Sequence, residues 1–226
     1  MRRLLIHVEG PTEEDFVNEV LRDYLLGIGY SNVSARIVGN ARARDRRGGI
    51  RPWPQVKKDI VTHLRQDPGC VATTIVDYYG LPQDGDGAWP GRREAARLAN
   101  ARKAETVEAA LLADLGKQCD PSRFVPFVMM HEFEALLFSD CAAFSREICR
   151  PELEATLQSI RDAFPTPEDI NDSPETAPSK RLQALIPGYQ KPLLGTLGAL
   201  EIGLEAMRRE CPHFDAWISR LELLAA

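Results

Sequence analysis

The chain contains 226 residues, of which 44% are hydrophobic and 27% are charged, and its formal net charge is −5. These values are typical of a globular protein with a sizeable core, built as one large domain or as one domain with a helical extension. No apolar run approaches the roughly eighteen residues of a membrane-spanning helix. A mildly acidic chain is also not typical of a protein that only coats nucleic acid.

The N-terminus and the cysteines indicate an intracellular protein. The apolar run before Glu9 is too short for a signal peptide. The five cysteines are odd in number and show no CxxC spacing, which argues against a disulfide framework and against a structural zinc site. We therefore expect a cytoplasmic location, with Cys141 and Cys149 serving as small buried hydrophobic residues.

The first forty residues or so predict a β-α-β unit. Arg3–Glu9 is almost entirely apolar, as expected of a strand that is buried on both faces of a parallel sheet. A helix follows, with Thr12 as a candidate N-cap and an end near Gly27. Val33–Val38 predicts the second strand.

The central part of the chain continues the alternation of helices and strands. The predicted elements are a helix over Pro54–Arg65, a strand over Val71–Asp77, a helix over Arg93–Leu115 and a strand over Phe124–Met130. Pro126 places the last strand at an edge or in a bulge.

From about residue 142 the pattern changes to helices separated by proline-rich turns. These helices are predicted over Leu153–Phe164, Lys180–Ile186, Pro192–Glu210 and His213–Leu224. We therefore predict an α/β domain over residues 1–140, with a parallel sheet flanked by helices, and a helical C-terminal region over residues 141–226 that packs on it.

Acidic residues follow three of the predicted strands. They are Glu9, Asp77 and the pair Glu132 and Glu134. Ligands bind at the carboxyl ends of parallel strands, and carboxylates that meet there repel one another unless a cation lies between them. If the strands are neighbours, the sequence predicts a site for Mg²⁺ or Mn²⁺ and a phosphate-containing substrate.

Glu9 and Gly10 are the most specific part of this pattern, because glycine allows a sharp turn and a close approach of a ligand. The simpler alternative for Glu9 is a residue in a surface turn. Glu13 either caps the following helix or contributes to the metal site.

The segment that begins at His131 is not a zinc-binding HExxH motif, because position 135 is alanine. On a helix, Glu132 and Glu134 would point in different directions, so we expect one of them to reach the site and favour Glu132. His131 by itself is more typical of a structural histidine.

Two basic features have both a functional and a plain interpretation. Ala41–Arg51 contains five arginines, which either contact phosphates or form a solvated loop. Lys180 and Lys191 lie among turns of the helical region, where each is either a solvated lysine or a cation that stabilises charge on a phosphate.

The order of these motifs resembles known families. A hydrophobic strand, the residues Glu9–Glu13, a helix and a later strand that ends in Asp77 resemble the Toprim fold. Over nearly the whole chain, the segments VEGPTEE, VDYYGLP and HEFEALLFSD and the tail that begins YQKPLLG are similar to the bacterial family called domain of unknown function 4276. Toprim proteins include the overcoming-lysogenisation-defect nucleases.

The resemblance implies roles for individual residues. Glu9 would be a metal ligand or general acid/base, Asp77 would hold magnesium, and a late lysine such as Lys191 would assist catalysis. Tyr79 departs from the Toprim pattern, because a second metal-binding aspartate is expected there. The replacement carboxylate would come from Asp84 or Asp86, or from Glu132 and Glu134.

The resulting hypothesis is a metal-dependent nuclease that hydrolyses DNA or RNA. The resemblance also implies an ABC- or AAA-type ATPase partner in a bacterial defence module, and the chain itself has no GxxxxGK[ST] motif. No membrane association is expected, and a homo-oligomer is compatible with the hypothesis. The alternatives are a non-catalytic subunit that docks the ATPase and a phosphatase that acts on small phosphates.

Overall fold

A computed structural model describes residues 1–38, 49–170 and 175–225. It contains a parallel five-stranded sheet in the order β2-β1-β3-β4, with β5 also paired to β3. The strands are β1 (Arg3–Val8), β2 (Asn32–Ile37), β3 (Cys70–Asp77), β4 (Phe124–Val125) and β5 (Val128–Met129). The predicted α/β class, a parallel sheet flanked by helices with a helical C-terminal region, is confirmed.

Ten α-helices surround the sheet in the described residues. They are α1 (Pro11–Phe16), α2 (Arg22–Gly27), α3 (Trp53–Gln66), α4 (Arg92–Ala95), α5 (Asn100–Leu115), α6 (Cys141–Glu147), α7 (Glu154–Asp162), α8 (Pro178–Leu185), α9 (Lys191–Glu210) and α10 (Pro212–Ala225). A π-helical turn, Val17–Leu21, joins α1 to α2, and α9 is broken at Gly203. None of these helices is long and apolar enough to cross a membrane.

The register of the central strands aligns the ends of β1 and β3. Val8 is paired with Ile75, and the amide of Glu9 donates a hydrogen bond of 3.2 Å to the carbonyl oxygen of Ile75. Because β1 and β3 are parallel neighbours, the residues that follow them leave the sheet at the same edge. Glu9 and Asp77 are therefore placed close together by the sheet itself.

Apolar residues bury both faces of the sheet, which explains the nearly continuous hydrophobic runs of β1 and β3. On one face, the sheet packs against α1, α2 and the C-terminal helices in one shared core that includes Phe16, Phe133 and Trp217. On the other face, it packs against α3 and α5, with Val56 and Leu111 in the core. The boundary at residue 140 stays a prediction.

Two predicted elements are interrupted. The helix expected over Arg93–Leu115 is two helices, α4 and α5, separated by turn residues 96–99. The strand expected over Phe124–Met130 is divided into β4 and β5 around Pro126, which has no amide hydrogen to donate to a sheet.

Two local predictions were wrong. Gly10, not Thr12, is the N-cap of α1, because Pro11 occupies the first helical position, where its fixed φ is favourable. Cys141 is buried as expected, but Cys149 is exposed. It lies in the turn after α6, where its φ is 55°. Left-handed residues commonly end helices in this way.

Candidate acidic site at the sheet edge

Glu9 and Asp77 meet at the carboxyl end of the sheet. The amide of Asp77 donates a hydrogen bond of 3.2 Å to Oε2 of Glu9. The short turn Tyr78–Gly80 then passes beside the Glu9 carboxylate, where a Cβ on Gly80 would be in ordinary contact with Oε1, at 3.6 Å. Oδ1 of Asp77 is buried without a hydrogen-bond partner in the described part of the chain.

Glu13 faces the same point from the first turn of α1. Its Oε2 accepts a hydrogen bond of 2.8 Å from the amide of Gly10, so it does cap the helix. It is nevertheless only 6% exposed, and the charge of Glu9 acts on it. Burial, together with the negative charge of Glu9, raises the pKa of Glu13 to about 7. The capping role and the site role are therefore both compatible with its position.

A strained turn at His131 positions the carboxylates of Glu132 and Glu134. His131 is fully buried with a φ of 66°, an uncommon value for a residue with a side chain. It turns the chain from the end of β5 into the 3₁₀ turn Phe133–Ser139, which carries Glu134. Glu134 is 1% exposed, and Oε2 of Glu132 accepts a hydrogen bond of 2.9 Å from the amide of Ser179.

Lys191, the first residue of α9, brings a positive charge to this group. Its Nζ lies 3.0 Å from Oε1 of Glu134 and donates a hydrogen bond of 3.1 Å to Oε2, whereas Oε1 of Glu132 is 4.0 Å away. Both glutamates therefore approach Lys191. Glu134 is the closer and more buried partner of the lysine, whereas the expectation that one of the two, Glu132, reaches the metal site stays a prediction.

Small residues of α9 make this contact feasible. A Cβ on Gly195 would lie 3.1 Å from the ring of Phe133, and one on Gly198 would lie 2.4 Å from the ring of Phe144. The backbone of α9 thus rests directly on the turn that carries Glu134 and on α6. This close approach holds Lys191 at the acidic residues.

Electrostatic interactions link the site residues to one another. Burial raises the pKa of Asp77 well above its usual range, and the charges of Glu9, Glu13 and Glu134 raise it further, while Lys191 opposes them. Burial likewise raises the pKa of Glu9 and of Glu134, and Lys191 partly offsets both shifts. For Lys191, burial alone would lower the pKa, but Glu134 and Glu132 outweigh it.

The family model described as "Domain of unknown function (DUF4276)" matches residues 8–222, which covers all of these site residues. The chain belongs to this family. No curated protein and no solved structure matches it. The family description assigns no activity, so the chemistry of the site has to be argued from its residues.

The donor types of the site suit a hard divalent cation, although no ready-made cage is present. Carboxylate oxygens are the ligands that Mg²⁺ and Mn²⁺ prefer, and the buried, unpartnered Oδ1 of Asp77 is such a donor. In the described residues, however, no three His, Cys, Asp or Glu side chains are placed so that they could already hold a metal ion together.

Several other sequence-predicted candidates form no side-chain hydrogen bond or ion pair with these acidic residues in the described part of the chain. Lys180 is exposed and donates to Gln183, and Asp84 forms an exposed ion pair with Arg93. Tyr79 is 45% exposed, and Asp86 is exposed in the same loop. Of the candidates for a replacement carboxylate, Glu132 and Glu134 lie beside Lys191, and their role as metal ligands stays a prediction. Most of the arginine-rich segment, residues 41–48, lies outside the described residues.

Backbone amides and one hydroxyl also belong to the site, and no sequence pattern predicted them. The backbone of Ile50 hydrogen-bonds to Glu9, which brings the end of the arginine-rich segment to the site. The amide of Ser179 at the start of α8 holds Glu132. The hydroxyl of Tyr189 is buried without a partner in the described residues, and burial raises its pKa, with further contributions from Glu134 and Glu132. Backbone donors carry no residue-type signal that a sequence pattern could reveal.

Proposed function

We propose that this family member is a metal-dependent nuclease of Toprim type that hydrolyses phosphodiesters of DNA or RNA. One observation carries the proposal. Five carboxylates, those of Glu9, Glu13, Asp77, Glu132 and Glu134, gather near one edge of the sheet around Lys191, and Oδ1 of Asp77 has no hydrogen-bond partner among the described residues. Such an excess of buried negative charge is unfavourable unless it serves to bind a cation.

The side chains divide into two roles in this proposal. Glu9, Asp77 and one or both of Glu132 and Glu134 would hold Mg²⁺ or Mn²⁺, and a metal bound there activates water and neutralises phosphate charge. Lys191 would place its ammonium beside the reacting phosphate, where a cation stabilises developing negative charge. Glu13 would orient the first turn of α1 and add to the field that attracts the metal.

The partners and setting belong to the same proposal. From the family resemblance, we propose a nucleic-acid substrate, a separate ATPase subunit of the ABC or AAA type, a role in bacterial defence and a cytoplasmic location. Self-association into a homo-oligomer remains compatible with it.

A cleavage assay tests the proposal directly. Supercoiled plasmid, single-stranded DNA and RNA are incubated with the full chain in Mg²⁺, Mn²⁺ or EDTA. We expect metal-dependent cleavage that falls by at least about a hundredfold in Glu9→Gln and in Asp77→Asn. Glu19→Gln, on the exposed side of the neighbouring helical turn, is the matched control and should cleave like the wild type. Equal products from all four proteins, with the ATPase partner present as well, would refute catalysis at this site.

A non-catalytic subunit is the second candidate, and two observations favour it. Lys191 already neutralises part of the acidic charge, and the described residues include no ready three-ligand set. Calorimetric titration with Mn²⁺ separates the candidates. A nuclease should bind the ion, and Asp77→Asn should weaken that binding, whereas a scaffold whose lysine replaces the metal should show no heat of binding in either protein.

A further inference from the structure

Arg92 is a buried cation that has no carboxylate partner in the described residues. It is 6% exposed, its Nη1 donates a hydrogen bond of 2.9 Å to the hydroxyl of Tyr78, and its Nε is buried without a partner. The adjacent Arg93, in contrast, is exposed and pairs with Asp84. Arginines are almost never buried to this extent unless they are paired with a negative charge.

A second cation lies on the same aromatic ring. The guanidinium carbon of Arg92 is 3.9 Å from the centroid of the Tyr78 ring, and Nζ of the half-buried Lys103 is 5.6 Å from it. A tyrosine ring attracts each cation, but this attraction does not remove the repulsion between two positive charges. In the described residues, two cations therefore lie on the ring of Tyr78 and neither has a carboxylate partner.

This pair of cations lies close to the acidic site. Tyr78 directly follows Asp77 at the end of β3, and it packs in the core covered by α3 and α5, whereas Glu13 and Lys191 approach from helices on the other side of the sheet. A chain with regularly spaced negative charges that crosses this edge of the sheet could contact both places. A nucleic-acid backbone has that property.

We propose that Arg92 and Lys103 bind a phosphate group of the nucleic-acid backbone and thereby hold the strand across the sheet edge beside the acidic site. This inference relies on the proposed function for its class of ligand. Arginine suits the role because its planar guanidinium can donate two parallel hydrogen bonds to phosphate oxygens. Because Nη1 already donates to Tyr78, the edge that would bind the phosphate is formed by Nε, which has no partner in the described residues, and Nη2. The side chains that bury Nε would move aside when the phosphate binds.

Nuclear magnetic resonance on the full-length, ¹⁵N-labelled chain tests the proposal without any cleavage. The Nε–H resonance of Arg92, assigned with Arg92→Lys, is followed in EDTA during titration with an oligothymidylate that carries no terminal phosphates. We expect this resonance to shift. In Lys103→Gln we expect weaker binding and a slope of log affinity against log salt that is shallower by about one. Lys117→Gln, an exposed lysine just beyond α5, is the matched control and should bind like the wild type.

The outcomes separate this site from the proposed reaction. An unmoved Arg92 resonance, or a Lys103→Gln variant that binds like the control, overturns the phosphate site even if the wild type cleaves DNA. A shift with inorganic phosphate alone, and none with the oligonucleotide, overturns the nucleic-acid assignment. A shift with the oligonucleotide in a protein that cleaves nothing supports the phosphate site and leaves only the proposed hydrolysis refuted. Because Lys103 is partly exposed, we expect Lys103→Gln to fold. The binding measurement on this variant therefore does not depend on whether Arg92→Lys folds.

Discussion

At the scale of single residues, the acidic site is an arrangement that does not favour stability. Buried carboxylates repel one another, and the pKa of Asp77 is raised first by burial and then by Glu9, Glu13 and Glu134. A carboxyl whose pKa is higher in the folded state than in the unfolded chain destabilises the fold at every pH where it ionises. Functional sites commonly accept this cost.

Asp77→Asn is therefore expected to stabilise the metal-free protein at high pH, by about 1–2 kcal/mol. The gap between variant and wild type should be largest above the raised pKa of Asp77 and should vanish as the pH falls towards the usual value of an aspartate, because the wild-type side chain then becomes neutral too. Urea unfolding in EDTA at several pH values measures it. The control is Asp86→Asn, because Asp86 is exposed in the following loop. An Asp77→Asn variant that is less stable than the wild type at high pH would contradict the prediction.

Lys191 supports the opposite prediction. In Lys191→Met, Glu134 loses its close partner while it remains buried, so we expect a loss of about 1–3 kcal/mol, discounted for the partial exposure of Lys191. The double variant Lys191→Met/Glu134→Gln should recover much of this loss, because no buried charge is left alone. Lys117→Met, whose ammonium is exposed and 3.5 Å from Asp114, should change the free energy of unfolding by less than about 1 kcal/mol. Equal losses in the single and double variants would show that Lys191 contributes through packing instead.

At the scale of elements, the close packing of α9 depends on two glycines on its contact face. Gly195 and Gly198 let it approach Phe133 and Phe144, and its first residue is Lys191. The contact is set by the absence of side chains, so even one methyl group changes it.

Gly198→Ala is expected to destabilise the protein by about 1–3 kcal/mol, because its Cβ would lie 2.4 Å from an aromatic ring that cannot shorten. Thermal unfolding measures the loss. The same change at Gly27, where the space around a new Cβ is open, should be neutral or stabilising. A Gly198→Ala protein as stable as the wild type would show that α9 can move away from Phe144 without a loss in the free energy of unfolding.

The elements also show how far the sequence allows prediction. Long apolar runs predicted β1 and β3 within about a residue, and the acidic residues after them were recognisable because parallel strands end at one edge. The contact of Lys191 with Glu134, and the amide contacts of Glu9 and Glu132, depend on packing between distant parts of the chain, which no local pattern encodes. The alanine-rich run from Arg93 predicted one helix, because helix propensity does not register the turn at residues 96–99 that separates α4 from α5.

At the scale of the whole molecule, acid stability is governed in part by His7. This imidazole is 1% exposed in β1, beside the ring of His63 at 5.3 Å between centroids, and both of its nitrogens lack partners in the described residues. Burial, and then the charges of His63 and Arg36, lowers its pKa to about 3. The fold therefore requires a neutral His7.

The free energy of unfolding should consequently fall as the pH decreases from about 6.5 towards 3. In this range His7 binds a proton in the unfolded chain but stays neutral in the folded protein. The full contribution is roughly 4–5 kcal/mol at most. Denaturation at pH 7 and pH 4.5 should show a smaller acid loss in His7→Phe than in the wild type, with the exposed Arg65→Gln as control. An identical pH dependence in His7→Phe and wild type would exclude His7 as the cause.

The long separation in sequence between Glu9 and Lys191 has a consequence for how the protein is made. Glu9 and Glu13 leave the ribosome first among the site residues, Asp77 and Glu134 follow, and Lys191 comes last. Until α9 has emerged and docked, Glu134 lacks the ammonium that it faces in the folded protein. A nascent chain therefore cannot form the contact between Glu134 and Lys191 before α9 has been synthesised and has docked.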